Sequence, residues 1–220
     1  MAIQERDFER LMNQARVKLP GSSEEGLKGE LFDVISEFFD VSNSWFEWMQ
    51  IPIVAGQQEY TVNPKKGGMI IRLVCIFDTN MIVLPAHMAE IHPPGADIWL
   101  TWPQNIAQTG NAMFIKNVIL PNSRENIPDA PSWLLPMYER YILDGLLGRM
   151  MAQPSKAYSN PGQSTYHLKR FRDGMAMAKV ATARSNLVGA QSWRYPSQYR
   201  TNSQRGGVST PFPSASGWGV

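Results

Sequence analysis

The spacing of apolar residues changes three times along this chain of 220 residues. Before residue 51, apolar residues recur every three or four positions, as on one face of a helix. Residues 51–125 contain short β-branched runs separated by turn residues, such as IPIV and MIIRLVCIF. Helical spacing returns over 126–190 and is absent from 191–220. The sequence therefore predicts an α+β fold, with a helical bundle built from the N- and C-terminal helices, an inserted antiparallel β segment and an extended C-terminal arm.

Residues 1–50 predict two amphipathic helices. Phe8 and Leu11 share one face of the first helix, and the sequence LPG at 19–21 ends it. Ser22 and Glu25 fit a capping box that starts the second helix. Leucine, isoleucine and phenylalanine line one face of this second helix, and its opposite face is acidic. The acidic residues are Glu24, Glu30, Asp33 and Glu37.

Residues 126–190 predict the other two helices. Pro131 and Pro136 precede the third helix, which carries Gly145 and Gly148 where a neighbouring helix can approach closely. This helix ends near Gln153. Asn160 and Pro161 have the residue types of an N-cap and a first helical position, and they start the fourth helix. The apolar face expected for the fourth helix consists of Leu168, Phe171, Met175 and Ala178.

Charge is distributed unevenly along the chain. Residues 1–50 hold ten acidic and five basic residues, whereas the chain after Asp173 holds five basic residues and no acidic one. This polarity favours head-to-tail contact between copies of the chain, and it also suits a protein whose basic end meets nucleic acid. A candidate basic face on the fourth helix, for contact with the acidic residues of an adjacent subunit or with phosphates, consists of Lys169, Arg170 and Arg172.

Motifs for enzymatic chemistry are weak in this sequence. One cysteine, Cys75, and three histidines do not match the usual zinc spacings, and His167 is expected on the solvent face of its helix. Residues 65–68, KKGG, lack the spacing of a phosphate-binding P-loop, and no Gly-x-Ser-x-Gly motif occurs. We therefore expect no enzyme activity, no metal and no cofactor. The apolar runs are much shorter than the roughly 20 residues that cross a bilayer, so no membrane partner is expected.

The segment 191–220 has no acidic residue and no apolar periodicity, so it cannot form a core of its own. It nevertheless keeps five large aromatic residues and three arginines, which are typical anchors of protein interfaces. We interpret it as a docking arm in preference to a disordered terminus. Its candidate anchors are Trp193, Arg194, Tyr195, Tyr199, Arg200, Arg205, Phe212 and Trp218.

In combination, these segments resemble the head-to-tail adaptor proteins of tailed bacteriophages, also called connector or head-completion proteins. Four stretches carry the resemblance, and they cover most of the chain. They are the helical pair leading to Trp45-x-x-Trp48, the start of the β segment IPIVAGQQEYTVNP, the third helix YERYILDGLLGRMMAQPSKAYSNP, and the helix HLKRFRDGMAMAKVATARSN before the extended tail. These proteins share an arrangement of segments more than any single motif.

The resemblance implies a structural virion protein at the head–tail junction, assembled in the host cytoplasm. It implies a ring, expected to hold twelve copies, that lies beneath the portal and surrounds the passing DNA without reading its sequence. The arm would dock on the portal, and residues 51–120 would face the tail nozzle, the next tail ring or the neighbouring subunit. The acidic face would line the bore or contact another subunit.

Two alternatives from other classes remain at this point. A nucleic-acid-binding module could use the basic helix and arm on phosphates and aromatic side chains on bases. A hydrolase of unknown type is the less favoured alternative. The aromatic residues considered for base stacking, each of which could equally belong to a core or an interface, are Trp45, Phe46, Trp48, Trp99 and Trp102.

Overall fold

The computed structural model shows four helices and antiparallel β-sheets, which confirms the predicted α+β class. The residues it describes are 5–54, 56–57, 59–62, 64, 68–77, 83–84, 90–91, 99–101, 112–121 and 130–185. The predicted arm, 191–220, with all its candidate anchors, lies outside these residues. His87, His92, Trp102 and the glycine-rich turn at 65–67 also lie outside them.

Helix α1 spans Glu5–Lys18 and helix α2 spans Glu24–Ser42. The hydroxyl of Ser23, not that of Ser22, accepts a hydrogen bond from the backbone N–H of Gly26 at 3.2 Å. Ser23 has the extended backbone of an N-cap, with φ −75° and ψ 148°, so the predicted cap was wrong by one residue. Two adjacent serines offer the same chemistry, and the backbone conformation decides between them.

Helix α3 spans Leu134–Ala152 and helix α4 spans Pro161–Ser185. Pro136 lies inside the first turn of α3, where the helix tolerates proline because the N–H groups have no intrahelical partner. The predicted cap of α4 is confirmed, since Asn160 Oδ1 accepts a hydrogen bond from the backbone N–H of Gln163 at 3.1 Å. Proline is therefore the third residue of α3 and the first residue of α4.

Among the residues described, seven strands lie between α2 and α3. They are β1 (Phe46–Pro52), β2 (Glu59–Thr61), β3 (Gly68–Phe77), β4 (Val83–Leu84), β5 (Glu90–Ile91), β6 (Trp99–Thr101) and β7 (Ala112–Pro121). Strand β1 begins at Phe46, before the predicted start of the β segment at residue 51, because its side chains already alternate between buried and exposed from Glu47 onwards. The pattern of PAHMAEIHPPG at 85–95 is compatible with a short helix or an irregular loop, but its residues Glu90–Ile91 form strand β5.

The strands form two antiparallel sheets. The larger sheet has the order β1-β7-β3-β4, so β7 lies between the first and third strands. In its register Trp48 is opposite Lys116, and Cys75 is opposite the same lysine from the other side. The smaller sheet has the order β2-β6-β5. One face of the larger sheet packs with Tyr60 and Val62 in a hydrophobic cluster of its own.

Side chains from all four helices share a second hydrophobic cluster. Phe38 of α2 is central to it, because its ring centroid lies 5.1 Å from that of Tyr138 and 6.4 Å from that of Phe171. Trp45 and Ile119 extend this cluster to the sheet, and the carbonyl oxygen of Trp45 accepts a hydrogen bond from the N–H of Ile119 at 2.9 Å. The core therefore joins residues from both halves of the chain, with the sheet attached at one edge.

Helix α3 approaches its neighbours at glycine positions. A Cβ added to Gly145 would lie 2.8 Å from atoms of both Val34 in α2 and Phe171 in α4, and one added to Gly148 would lie 2.8 Å from Leu168. These distances confirm the prediction that this pair of glycines admits a close neighbour. Helix α4 adds a third such position, Gly174, which the sequence analysis did not identify.

The close approach at Gly174 gives a testable prediction. A Cβ at this position would lie 2.3 Å from Tyr141 Cγ and 2.5 Å from Tyr141 Cβ, and neither atom is the free end of a flexible chain. We expect Gly174→Ala to lower the free energy of unfolding by about 1–3 kcal/mol through overpacking, although alanine favours helix by about 1 kcal/mol. Urea unfolding followed by circular dichroism measures this change.

Gly162→Ala is the matched control. Gly162 lies in the first turn of α4, where the nearest atom to an added Cβ is Asn160 Oδ1 at 3.7 Å, an ordinary contact. This substitution is expected to leave stability unchanged or to raise it. Equal effects of the two substitutions would contradict the packing argument.

Candidate interaction surfaces

The acidic face of α2 contacts a cation from its own chain. Arg149 of α3 lies 2.5 Å from a carboxylate oxygen of Glu37, and 3.9 Å from oxygens of Glu30 and Asp33. Three predicted acidic residues therefore converge on one guanidinium group. Because one positive charge faces three negative ones, this face keeps a negative charge, and the carboxylate side chains remain 28–46% exposed.

Glu24, the fourth residue of the predicted acidic face, has different partners. Its carboxylate lies 2.8 Å from Arg16 in α1 and 2.8 Å from Lys28 one turn along α2. Lys28, by hydrogen bonding and by its charge, and then Arg16 lower the pKa of Glu24. Glu24 therefore belongs to a contact between the first two helices, separate from the group around Arg149.

A groove of about 330 Å³ lies beside this acidic group, between the start of α2 and the end of α3. Its polar side chains contact one another, because the amide nitrogen of Gln153 donates to Glu30 at 3.1 Å. The hydroxyl of Tyr158 in turn donates to Gln153 Oε1 at 3.2 Å. These contacts hold the end of α3 against the start of α2.

The predicted basic face of α4 divides into an internally paired residue and two exposed ones. Arg170 Nε lies 3.1 Å from Oδ2 of Asp144 in α3, and Arg170 also donates to the hydroxyl of Tyr166 at 3.1 Å. Lys169 and Arg172 are exposed. The structure therefore leaves these two predicted basic residues on the surface and directs Arg170 towards α3.

The prediction that His167 lies on the solvent face was wrong. Its side chain is 14% exposed, and Nδ1 lies 2.8 Å from Oδ1 of Asp144, whose side chain is 7% exposed. A buried carboxylate requires partners, and α4 supplies two of them to this one. The sequence contained a signal for this site, since Asp144 is the only charged residue within the apolar run YILDGLLG.

The sheet holds a lysine among aromatic rings. The Lys116 ammonium group lies 3.6 Å from the ring centroid of Phe46 and 5.5 Å from that of Trp48. Trp45 is 2% exposed and belongs to the helical core, so it cannot stack on a base in this conformation. Trp48 is 40% exposed, so part of its side chain lies at the surface. Burial lowers the pKa of Lys116 and raises the pKa of the neighbouring Cys75 thiol.

Exposed apolar side chains on α3 and α4 form a further surface. Met137 is 62% exposed, and on α4 Tyr166, Met177 and Val180 are 56%, 58% and 49% exposed. Tyr141 connects the two helices here, because its hydroxyl lies 3.3 Å from the sulfur of Met177. Met137 has the helical spacing of a residue that faces a neighbouring helix, but it is exposed, and the exposed apolar side of α4 was not predicted.

Within the described residues, no group of three or more histidine, cysteine, aspartate or glutamate side chains has a geometry that could hold a metal ion. None of the helices described combines the length and apolar character needed to cross a membrane.

No protein-family model matches the chain, and a search of curated proteins finds no significant match.

The convergence of three carboxylates on Arg149 predicts a salt-dependent contribution to stability. Arg149→Met keeps most of the apolar stem but leaves three like charges close together. Because the groups are partly exposed, we expect a loss of only about 1 kcal/mol in the free energy of unfolding at low salt. The loss should shrink at about 1 M NaCl, where the screening length is about 3 Å.

Arg140→Met is the control for this experiment, because Arg140 is an exposed residue of the same helix. Urea titrations of both variants at low and high salt measure the difference. A loss for Arg149→Met that is unaffected by salt would point to packing of the side chain in place of charge.

The environment of Cys75 predicts slow alkylation in the folded protein. Its raised pKa lowers the thiolate fraction at any given pH, and the thiolate is the reactive form. At pH 8 we expect iodoacetamide to modify Cys75 several times more slowly in the folded chain than in urea, as followed by mass spectrometry. N-acetylcysteine in the same two solutions controls for the effect of urea, and equal protein rates would contradict the assignment.

Proposed function

We propose that this chain is a structural virion protein that forms a ring between the capsid portal and the tail of a bacteriophage. In this proposal the four helices form a bundle, residues 51–125 are an inserted β segment, and residues 191–220 are an arm that docks on the portal. The ring surrounds the DNA passage, and the protein has no enzymatic role. The order of segments in the sequence is the first support for this assignment.

The observation that carries the proposal is the presence of two unlike charged faces on one chain. A closed ring is a heterologous assembly, so each subunit needs two different surfaces that complement each other. The acidic face of α2 keeps excess negative charge around Arg149, and α4 exposes Lys169 and Arg172. Such a pair of faces supports assembly of identical subunits in a head-to-tail sense.

Two positions for the acidic face are compatible with a ring. Carboxylates that line the bore would repel DNA and keep it from binding during ejection. Carboxylates at a subunit boundary would instead pair with the basic face of the adjacent copy. The sheet would meet the tail nozzle, the next tail ring or a neighbouring subunit.

A nucleic-acid-binding module is the second candidate function, and the exposed Lys169 and Arg172 on α4 favour it. Such a module would bind short duplex DNA as a monomer, with an affinity that falls steeply as salt rises. The internal pairing of Arg170 and the burial of Trp45 weaken this alternative, because each removes a residue that could contact DNA.

Removal of the arm tests the proposed function. We expect a chain truncated before Trp193 to lose binding to the portal protein of the same phage, because the arm supplies the aromatic anchors. Its circular dichroism spectrum should stay nearly unchanged, since the described helices and strands all lie before residue 191. Sedimentation and negative-stain electron microscopy of portal mixtures measure binding and ring formation.

The full-length chain is the positive control, and a chain with Trp193→Ala and Trp218→Ala tests the anchors without changing the length. Undiminished portal binding by the truncated chain would contradict the role of the arm. Failure of the full-length chain to bind the portal, together with salt-dependent binding to short duplex DNA, would favour the nucleic-acid-binding alternative.

A further inference from the structure

The exposed apolar residues of α4 lie along one side of the helix. Tyr166, Met177 and Val180 are separated by 11 and 3 residues, which places them within one stripe of a helix with 3.6 residues per turn. Met177 also contacts Tyr141 of α3, and Met137 lies one turn before Tyr141. Single exposed apolar residues are common, but Met177 and Val180 lie within one turn of each other beside Tyr141, and such a group of exposed apolar side chains marks an interaction site.

Cations outnumber acidic residues on and beside this stripe. Asp173, which lies on the stripe between Tyr166 and Met177, is the only acidic residue of α4. The exposed basic residues of the helix are Lys169, Arg172, Lys179 and Arg184. A second α4 is therefore a poor partner for this surface, because the excess cations would repel one another. The stripe requires an apolar contact with negative charge beside it.

Helix α2 of the same chain presents a surface of that kind. Glu30, Asp33, Glu37 and Val41 follow one another at spacings of three and four residues, so they form one stripe along the helix. Val41 is 38% exposed. Arg149 compensates one of the three carboxylates and leaves two negative charges. The stripe therefore combines carboxylates with an exposed apolar side chain at its C-terminal end.

We propose that the α4 stripe of one copy docks on the α2 stripe of the next copy. The contact is heterologous, and Met177 and Val180 meet the end of α2 near Val41 while the α4 cations meet Asp33 and Glu37. The α2 stripe from Glu30 to Val41 is about 17 Å long and the α4 stripe from Tyr166 to Val180 is about 21 Å long, at about 1.5 Å per residue, so the two stripes are of comparable length. The contact deepens the proposed function, because it assigns the acidic face to a subunit boundary in place of the bore.

The occupant is a copy of this chain because the net positive charge on the exposed side of α4 is opposite to the net negative charge of the α2 stripe. Both helices already pack into one core within the subunit, so the two stripes of a single chain do not reach each other. In a pair held by a contact between different stripes, each subunit keeps one stripe free, so the pair has one free stripe at each end. This is the property that extends a pair into a ring.

Mixed cysteine variants test the contact in the free protein at high concentration. One chain carries Val41→Cys and the other Met177→Cys, both on a Cys75→Ser background, and a short bismaleimide links nearby thiols. The mixture is expected to give roughly ten times more cross-linked dimer than either variant alone, which corresponds to about 1.4 kcal/mol of preference. Equal or greater dimer in Met177→Cys alone, or no dimer in the mixture, would overturn the proposal.

Charge reversal gives a second measurement that is independent of folding defects. Asp33→Lys in the Val41→Cys chain is expected to lower the cross-linked yield severalfold when the partner chain has unaltered charge. Lys169→Glu with Arg172→Glu in the Met177→Cys chain is expected to have the same effect. Combining the two altered stripes restores the yield, which a misfolded variant could not do. Glu9→Lys, on the outer side of α1, is the control and leaves the yield unchanged. Failure of the combination to restore the yield counts against this contact.

The outcome for this interface is separable from the outcome for the adaptor function. Cross-linking uses no portal, so a specific Val41–Met177 link without portal binding upholds the contact and removes the adaptor role. Portal binding without this link in the mixture keeps the adaptor role and overturns the contact.

Discussion

The close contact of α3 with both α2 and α4 is the constraint on which the remaining structure depends. Gly145 allows Val34 and Phe171 to approach from opposite neighbours, and Gly148 and Gly174 allow α3 and α4 to meet along several turns. At that separation any polar group between the helices must find a partner inside the protein. Asp144 does so through His167 and Arg170, and Arg149 reaches the acidic residues of α2 from the same helix.

Local sequence signals predicted most of the fold. The apolar spacing located all four helices, and Asn160 fixed the start of α4 through its side-chain hydrogen bond. The start of β1 was missed because Phe46 and Trp48 were considered as base-stacking, core or interface residues, although aromatic residues also favour strands. The order of strands was beyond local reasoning, since the position of β7 between β1 and β3 depends on pairing across the whole insertion.

The candidate surfaces were predicted less completely than the fold. Residue type identified the acidic and basic faces, but it did not reveal which charges pair within the chain. Arg149 is 112 residues from Glu37, and Asp144 is 23 residues from His167, so both contacts follow from tertiary packing. The exposed side of α4 was missed for a related reason. Met177 and Val180 resemble ordinary helix residues until the buried side of the helix is known.

Trp45 connects the sheet to the helices without an intervening linker. Its ring centroid lies 5.1 Å from that of Phe39 inside the helical core, and its carbonyl oxygen accepts a hydrogen bond from the N–H of Ile119 in β7. Arg72 of β3 adds an ion pair with Asp40 at the end of α2, at 2.6 Å. A mechanical load applied to the sheet therefore passes directly into the packing between helices. Under such a load, this attachment would make the sheet and the helical core deform as one elastic body.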